Sequence, residues 1–146
     1  MIISIGIYTA QTSFRQRFSL PCVLLITLAT GALLGANAFS VDAVETGIAI
    51  SLLGLGLLLM LPRATTSIWA MVIVTLAGLM HGLAHGLEIP GGIAGLTFIP
   101  GFLITSAALL ITCIWLGLYI HPGQNRFITQ TYGGAIATIG LMALIV

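Results

Sequence analysis

The sequence has no lysine. Four arginines and three acids carry all its formal charge, 5% of 146 residues, whereas 59% of the chain is hydrophobic and the mean hydropathy is +1.21. So few charges cannot solvate the surface of a soluble domain this size, which excludes a water-soluble globular fold and puts the apolar runs against lipid. The net charge of +1 leaves no footprint for nucleic acid. Cys22 and Cys113 are the only cysteines. Both fall inside apolar runs, which suggests neither a disulfide framework nor a thiolate metal site, and they read as small buried hydrophobes. The alternating ten-residue segments of an outer-membrane barrel are also missing.

What is present is a series of long apolar runs, at about residues 20–39, 41–61, 68–87, 98–120 and 127–146. Each is about 20 residues, enough at 1.5 Å per residue to cross about 30 Å of hydrocarbon. Pro21 and Pro100 stand near run starts, where first-turn positions tolerate a missing amide proton, and Pro62 and Pro90 follow run ends. Residues 1–10 are apolar but too short to span, and their positive charge, Arg15 and Arg17, comes after the apolar stretch rather than before it. That order is the reverse of a signal peptide. The expected fold is an all-α membrane protein: a polytopic helical bundle of five full transmembrane helices plus an N-terminal half helix, residues 1–12, in one transmembrane domain over residues 1–146.

The charges divide by side. Arg15 and Arg17 precede the first full run, Arg63 follows the second and Arg126 follows the fourth, while Asp42, Glu45 and Glu88 stand at the intervening connections. Connections alternate across a membrane, so the positive-inside rule puts the arginines in the cytoplasm and the acids and the C-terminus outside. Trp69, Trp115, Tyr119 and Tyr132 come near the arginine side, as an interfacial aromatic belt requires.

Glycine is abundant, 18 residues, and partly periodic. Gly78, Gly82 and Gly86 recur every fourth residue on the third run, and Gly31 and Gly35 form a GxxxG pair on the first. Helices in lipid associate by close backbone approach, which small residues at this spacing permit, so these five are the expected helix-packing positions.

The stretch richest in chemistry is His81-Gly-Leu-Ala-His85-Gly-Leu-Glu88-Ile-Pro90, at the outer end of the third run. At about 100° per residue, His81, His85 and Glu88 lie within about 60° of one another on one helix face, beside the glycine row. Ionisable side chains in a span are costly and normally face a cavity, pair or bind an ion. Neutral imidazole with carboxylate suits Ni, Co, Zn or Cu(II). Glu45 and Asp42 start the second run on the same outer side, making five candidate metal ligands: His81, His85, Glu88, Glu45 and Asp42. The competing interpretation is a helix-end hydrogen-bond network reaching interfacial water. Catalysis has less support: the pattern lacks the glutamate of a His-Glu-x-x-His metalloprotease, and neither Ser51 nor Ser106 has a Gly-x-Ser-x-Gly setting, so an enzyme is not expected.

From His81 to Pro90 the sequence resembles the HupE/UreJ family of small membrane proteins linked to nickel supply for hydrogenase and urease. The family's His-Gly-x-Ala-His-Gly-x-Glu signature stands complete as His81, Gly82, Ala84, His85, Gly86 and Glu88. Val44-Glu45-Thr46-Gly47-Ile48-Ala49, with Ser51 and the Gly54/Gly56 run, looks like the family's next most characteristic helix, and residues 6–11 look like the close of its first. The family's first helix usually opens with His-Pro-x-x-Gly-x-Asp-His, which this chain does not contain. The resemblance implies a multi-pass protein of the bacterial inner membrane that acts as a Ni²⁺ or Co²⁺ permease, with the ion as cargo, no prosthetic group, and an oligomer or partner subunit left open. A non-transporting accessory, metal-sensing or truncated subunit is the alternative from another class.

Overall fold

A computed structural model describes residues 1–37, 43–61, 67–89, 93–119 and 122–145. The described residues form six helices: α1 (Ile2–Ala10), α2 (Phe14–Ala36), α3 (Val44–Met60), α4 (Ser67–Leu87), α5 (Ile93–Tyr119) and α6 (Pro122–Ile145). They include no strand. Four stretches are long and apolar enough to cross a membrane, Phe14–Ala36, Ile68–Leu87, Thr97–Tyr119 and Arg126–Ile145. α3 is apolar but has only 17 residues, and α1 has nine. The all-helical class therefore holds: the described residues give four stretches of full spanning length, the shorter apolar helix α3 and the nine-residue α1.

Helix starts differ most from the sequence expectation. α2 begins at Phe14 and α5 at Ile93, several residues before the apolar runs do, because backbone hydrogen bonding continues through an interfacial turn whatever its polarity. Pro21 and Pro100 consequently lie inside their helices, not in first turns. Each removes one i to i−4 bond, and the surrounding bundle compensates for the loss.

The helices pair through glycine. A Cβ at Gly31 would fall on the carbonyl oxygen of Leu79, one at Gly82 on that of Leu28, and one at Gly86 on that of Ala32. At Gly35 it would come within 2.9 Å of the Gly86 Cα. α2 and α4 thus pack backbone to backbone over three turns, and since Gly78 meets Leu24 and Thr27 while Gly86 meets Ala32 and Gly35, they run parallel. α3 and α6 form a second seam, where Gly56 faces Gly133 and Ala137 and Gly140 faces Ala49 and Leu53. That order makes them antiparallel. On the third seam Gly6 of α1 meets Cys113, and Gly117 of α5 meets Ala10 and Ile7. The core joins these pairs through Ile5, Leu20, Leu24, Leu28, Leu55, Leu58, Val74 and Leu110, each no more than 2% exposed.

Odd and even helices therefore run in opposite directions. One end of the bundle carries Arg15, Arg17 and Arg126, and the other carries Glu45 and Glu88. Arg63 and Asp42 lie outside the described residues. Cys113 is buried, but Cys22 is exposed on the outer surface of α2, so only one of the two cysteines is a buried hydrophobe. It sits one residue after Pro21 on the wall of an open groove between α2 and α5, and exposure to lipid costs a small apolar side chain nothing.

Candidate metal site at the acidic end

Three faces of α4 meet three different neighbours. Its glycine row lies on α2, Met80 turns toward Gly47 of α3, and His85 reaches α5, where its ring lies 4.7 Å from that of Phe102 at an angle of 48°. The close seam with α2 runs beside His81 and His85, since each precedes a glycine pressed against another backbone. Met1, the residue before α1, lies near His81.

Along the stripe the groups form a descending series. Glu88 sits just past the end of α4, where the amides of Glu88 and Ile89 donate to the carbonyls of His85 and Gly86, both at 3.3 Å. These i to i−3 bonds tighten the last turn and hold the Glu88 carboxylate over His85. Its Oε2 lies 3.6 Å from His85 Nδ1, with the two side chains 75% and 41% exposed respectively. That separation is longer than a charge-assisted hydrogen bond, about 2.7–2.9 Å, so the pair is in loose contact. One turn further in, the His81 and His85 ring centroids are 6.2 Å apart at 63°. His81 Nδ1 is buried with no hydrogen-bond partner among the described residues. A buried polar nitrogen left in that condition costs about 1–3 kcal/mol.

A family model described as HupE / UreJ protein matches residues 1–143. The chain belongs to the HupE/UreJ family. Protein HupE of Rhizobium leguminosarum bv. viciae is 26% identical over 144 residues, which are 99% of this chain and 75% of that protein. No solved structure matches the chain. Among the described residues, which include His81, His85, Glu88 and Glu45, no group of three His, Cys, Asp or Glu side chains is placed to hold a metal ion together. His81 neighbours His85, and His85 neighbours Glu88. Glu45 is exposed in the first turn of α3, at the same end of the bundle because Gly47 meets Met80 and Gly54 meets Ile73. Asp42 lies outside the described residues.

Phe102 has no counterpart among the sequence-derived candidates. It packs on His85 and aligns with Phe98, one turn earlier on α5. An aromatic pair at i, i+4 in an apolar helix reads as packing, and only the tertiary contact shows that it walls the imidazole. Ser4 and Thr9 on α1 are fully buried, and their hydroxyls have no partner among the described residues. By contrast Thr27, Ser51, Thr105, Thr112, Thr131 and Thr138 all donate to carbonyls of their own helices.

Proposed function

We propose that this HupE/UreJ protein is a membrane permease that carries Ni²⁺ or Co²⁺ inward for hydrogenase or urease maturation. Glu88, His85 and His81 act as successive ligands of an entrance at the outer face, with Glu45 beside it. In this reading the arginine end faces the cytoplasm of a bacterial inner membrane, and the C-terminus lies outside.

The observation that carries this reading is the graded burial along one helix face. The exposed Glu88 carboxylate attracts a hydrated divalent cation. His85, half-exposed and in contact with Glu88, exchanges for one water of its hydration shell. His81 then offers a buried ring nitrogen with no hydrogen-bond partner among the described residues, and an unprotonated imidazole nitrogen is a good ligand for Ni²⁺ and Co²⁺. Two protein ligands at a time suit transport, because a closed site of three or four strong ligands would hold the ion rather than pass it on. Affinity order does not separate Ni²⁺ from Co²⁺ at such a site.

The test is nickel-limited growth of a host whose urease or hydrogenase depends on this protein. With His81→Ala and His85→Ala combined, and membrane abundance matched, enzyme activity at low external nickel should fall to the level of a strain lacking the gene, and excess nickel should restore it. Unchanged activity at low nickel would overturn the proposal.

A further inference from the structure

A groove of about 460 Å³ runs between α2 and α5 at the arginine end, remote from the histidines. Its walls include Phe18 and Cys22 of α2 and Ile111 and Trp115 of α5, and Arg17 stands at its mouth. From Phe14 to Cys22 the groove follows α2 for about 12 Å at 1.5 Å per residue. One leaflet supplies about 15 Å of hydrocarbon, so the groove descends through most of one leaflet and opens at its headgroup level.

The mouth is unusually positive. Helix N-termini carry a partial positive charge that acids normally offset, yet α2 has no acidic residue in its first turn, and its cap residue Ser13 makes no side-chain capping bond. Arg15 and Arg17 add two full charges there. The described acids, Glu45 and Glu88, are both at the other end of the bundle. Arg17 lines the groove, and its Nε donates to the Thr12 carbonyl at 3.1 Å, which restrains the guanidinium there. Fixed donors, a helix N-terminus and no carboxylate nearby constitute an anion site, and the apolar trough directly below it fits a hydrocarbon tail. An anion and a tail on one molecule describe a phospholipid.

We propose that the α2/α5 groove binds an anionic phospholipid, with the phosphate on Arg17 and one acyl chain lying along Phe18, Cys22, Ile111 and Trp115. This site is independent of the metal pathway. It selects by headgroup charge, since any lipid tail could enter the trough but only an anionic headgroup gains from the mouth. One arginine near the surface favours an anionic lipid about fivefold.

Trp115 is built into the wall and provides the readout. Trp69 is the only other tryptophan, so the Trp69→Phe protein emits from Trp115 alone. Reconstituted into bilayers containing either dibrominated phosphatidylglycerol or dibrominated phosphatidylcholine, it should reach half-maximal quenching at about one-fifth the mole fraction of the glycerol lipid. R17Q should bring the two lipids to parity while leaving quenching by the choline lipid unchanged. Arg126→Gln, at the same end but outside the groove, should keep the preference. Equal quenching by the two lipids in the starting protein would overturn the proposal. So would a preference that survives R17Q, or one lost as fully in Arg126→Gln.

Discussion

Substituting alanine at Gly82 should destabilise the bundle, whereas the same change at Gly101 should stabilise it. An added Cβ at Gly82 would land on the Leu28 carbonyl oxygen and lie 3.0 Å from the Ala32 amide nitrogen. These are backbone atoms of α2, which cannot rotate aside as a side-chain end can. Clearing the Leu28 oxygen to ordinary contact at about 3.5–4.0 Å requires α2 and α4 to part by more than about 1 Å, and forced overpacking of this kind costs about 1–3 kcal/mol. A Cβ at Gly101 meets nothing within 4 Å, so alanine there brings only the gain from replacing glycine inside a helix, about 0.5–1 kcal/mol. The two variants should therefore differ by about 1.5–4 kcal/mol with opposite signs. For a chain of this size that is at least about 3 °C between their melting temperatures. Thermal unfolding of the two proteins in the same detergent, followed by intrinsic fluorescence, measures the difference. Equal melting temperatures, or a greater loss at Gly101, would refute the backbone-to-backbone seam.

The cysteines give a second check on packing. In detergent, a maleimide should modify one thiol per native chain, at Cys22, and two after denaturation, because Cys113 is only 9% exposed. Cys22→Ser should abolish native labelling. Orientation is open to a direct test as well: alkaline phosphatase fused after the last residue should be active and green fluorescent protein at the same point dark, since the arginines at the opposite end are assigned to the cytoplasm. The reverse pattern would invert the topology and with it the direction of transport.

Much of this architecture was legible in the chain because lipid imposes simple requirements. Long apolar runs with short polar breaks dictate helices, and the arginines and acids alternate between connections in a way that only antiparallel succession explains. The glycines at 78, 82 and 86 and at 31 and 35 marked α4 and α2 as faces for close approach, but nothing local showed that these two faces meet each other or that the helices run parallel. Partner choice depends on shapes distant in sequence. Helix starts were the least legible, since hydropathy reports where side chains become apolar and not where the backbone starts to coil, which is why Pro21 and Pro100 turn out to be internal. At the candidate site, the 3.6-residue repeat put His81, His85 and Glu88 on one stripe. The decrease in exposure along that stripe, the Phe102 wall and the separation of Glu45 from the histidines come from tertiary packing that helical periodicity does not encode.

The proposed permease moves the ion by way of the two histidines of α4. The most direct measurement is Ni²⁺ influx into proteoliposomes that contain the purified protein and enclose a nickel-sensitive fluorophore, comparing the unaltered chain, the combined His81→Ala and His85→Ala variant, and protein-free vesicles. The account predicts saturable influx with the unaltered chain and influx at the protein-free rate with the variant. Equal influx in the unaltered chain and the variant, or none above protein-free vesicles in either, would contradict it.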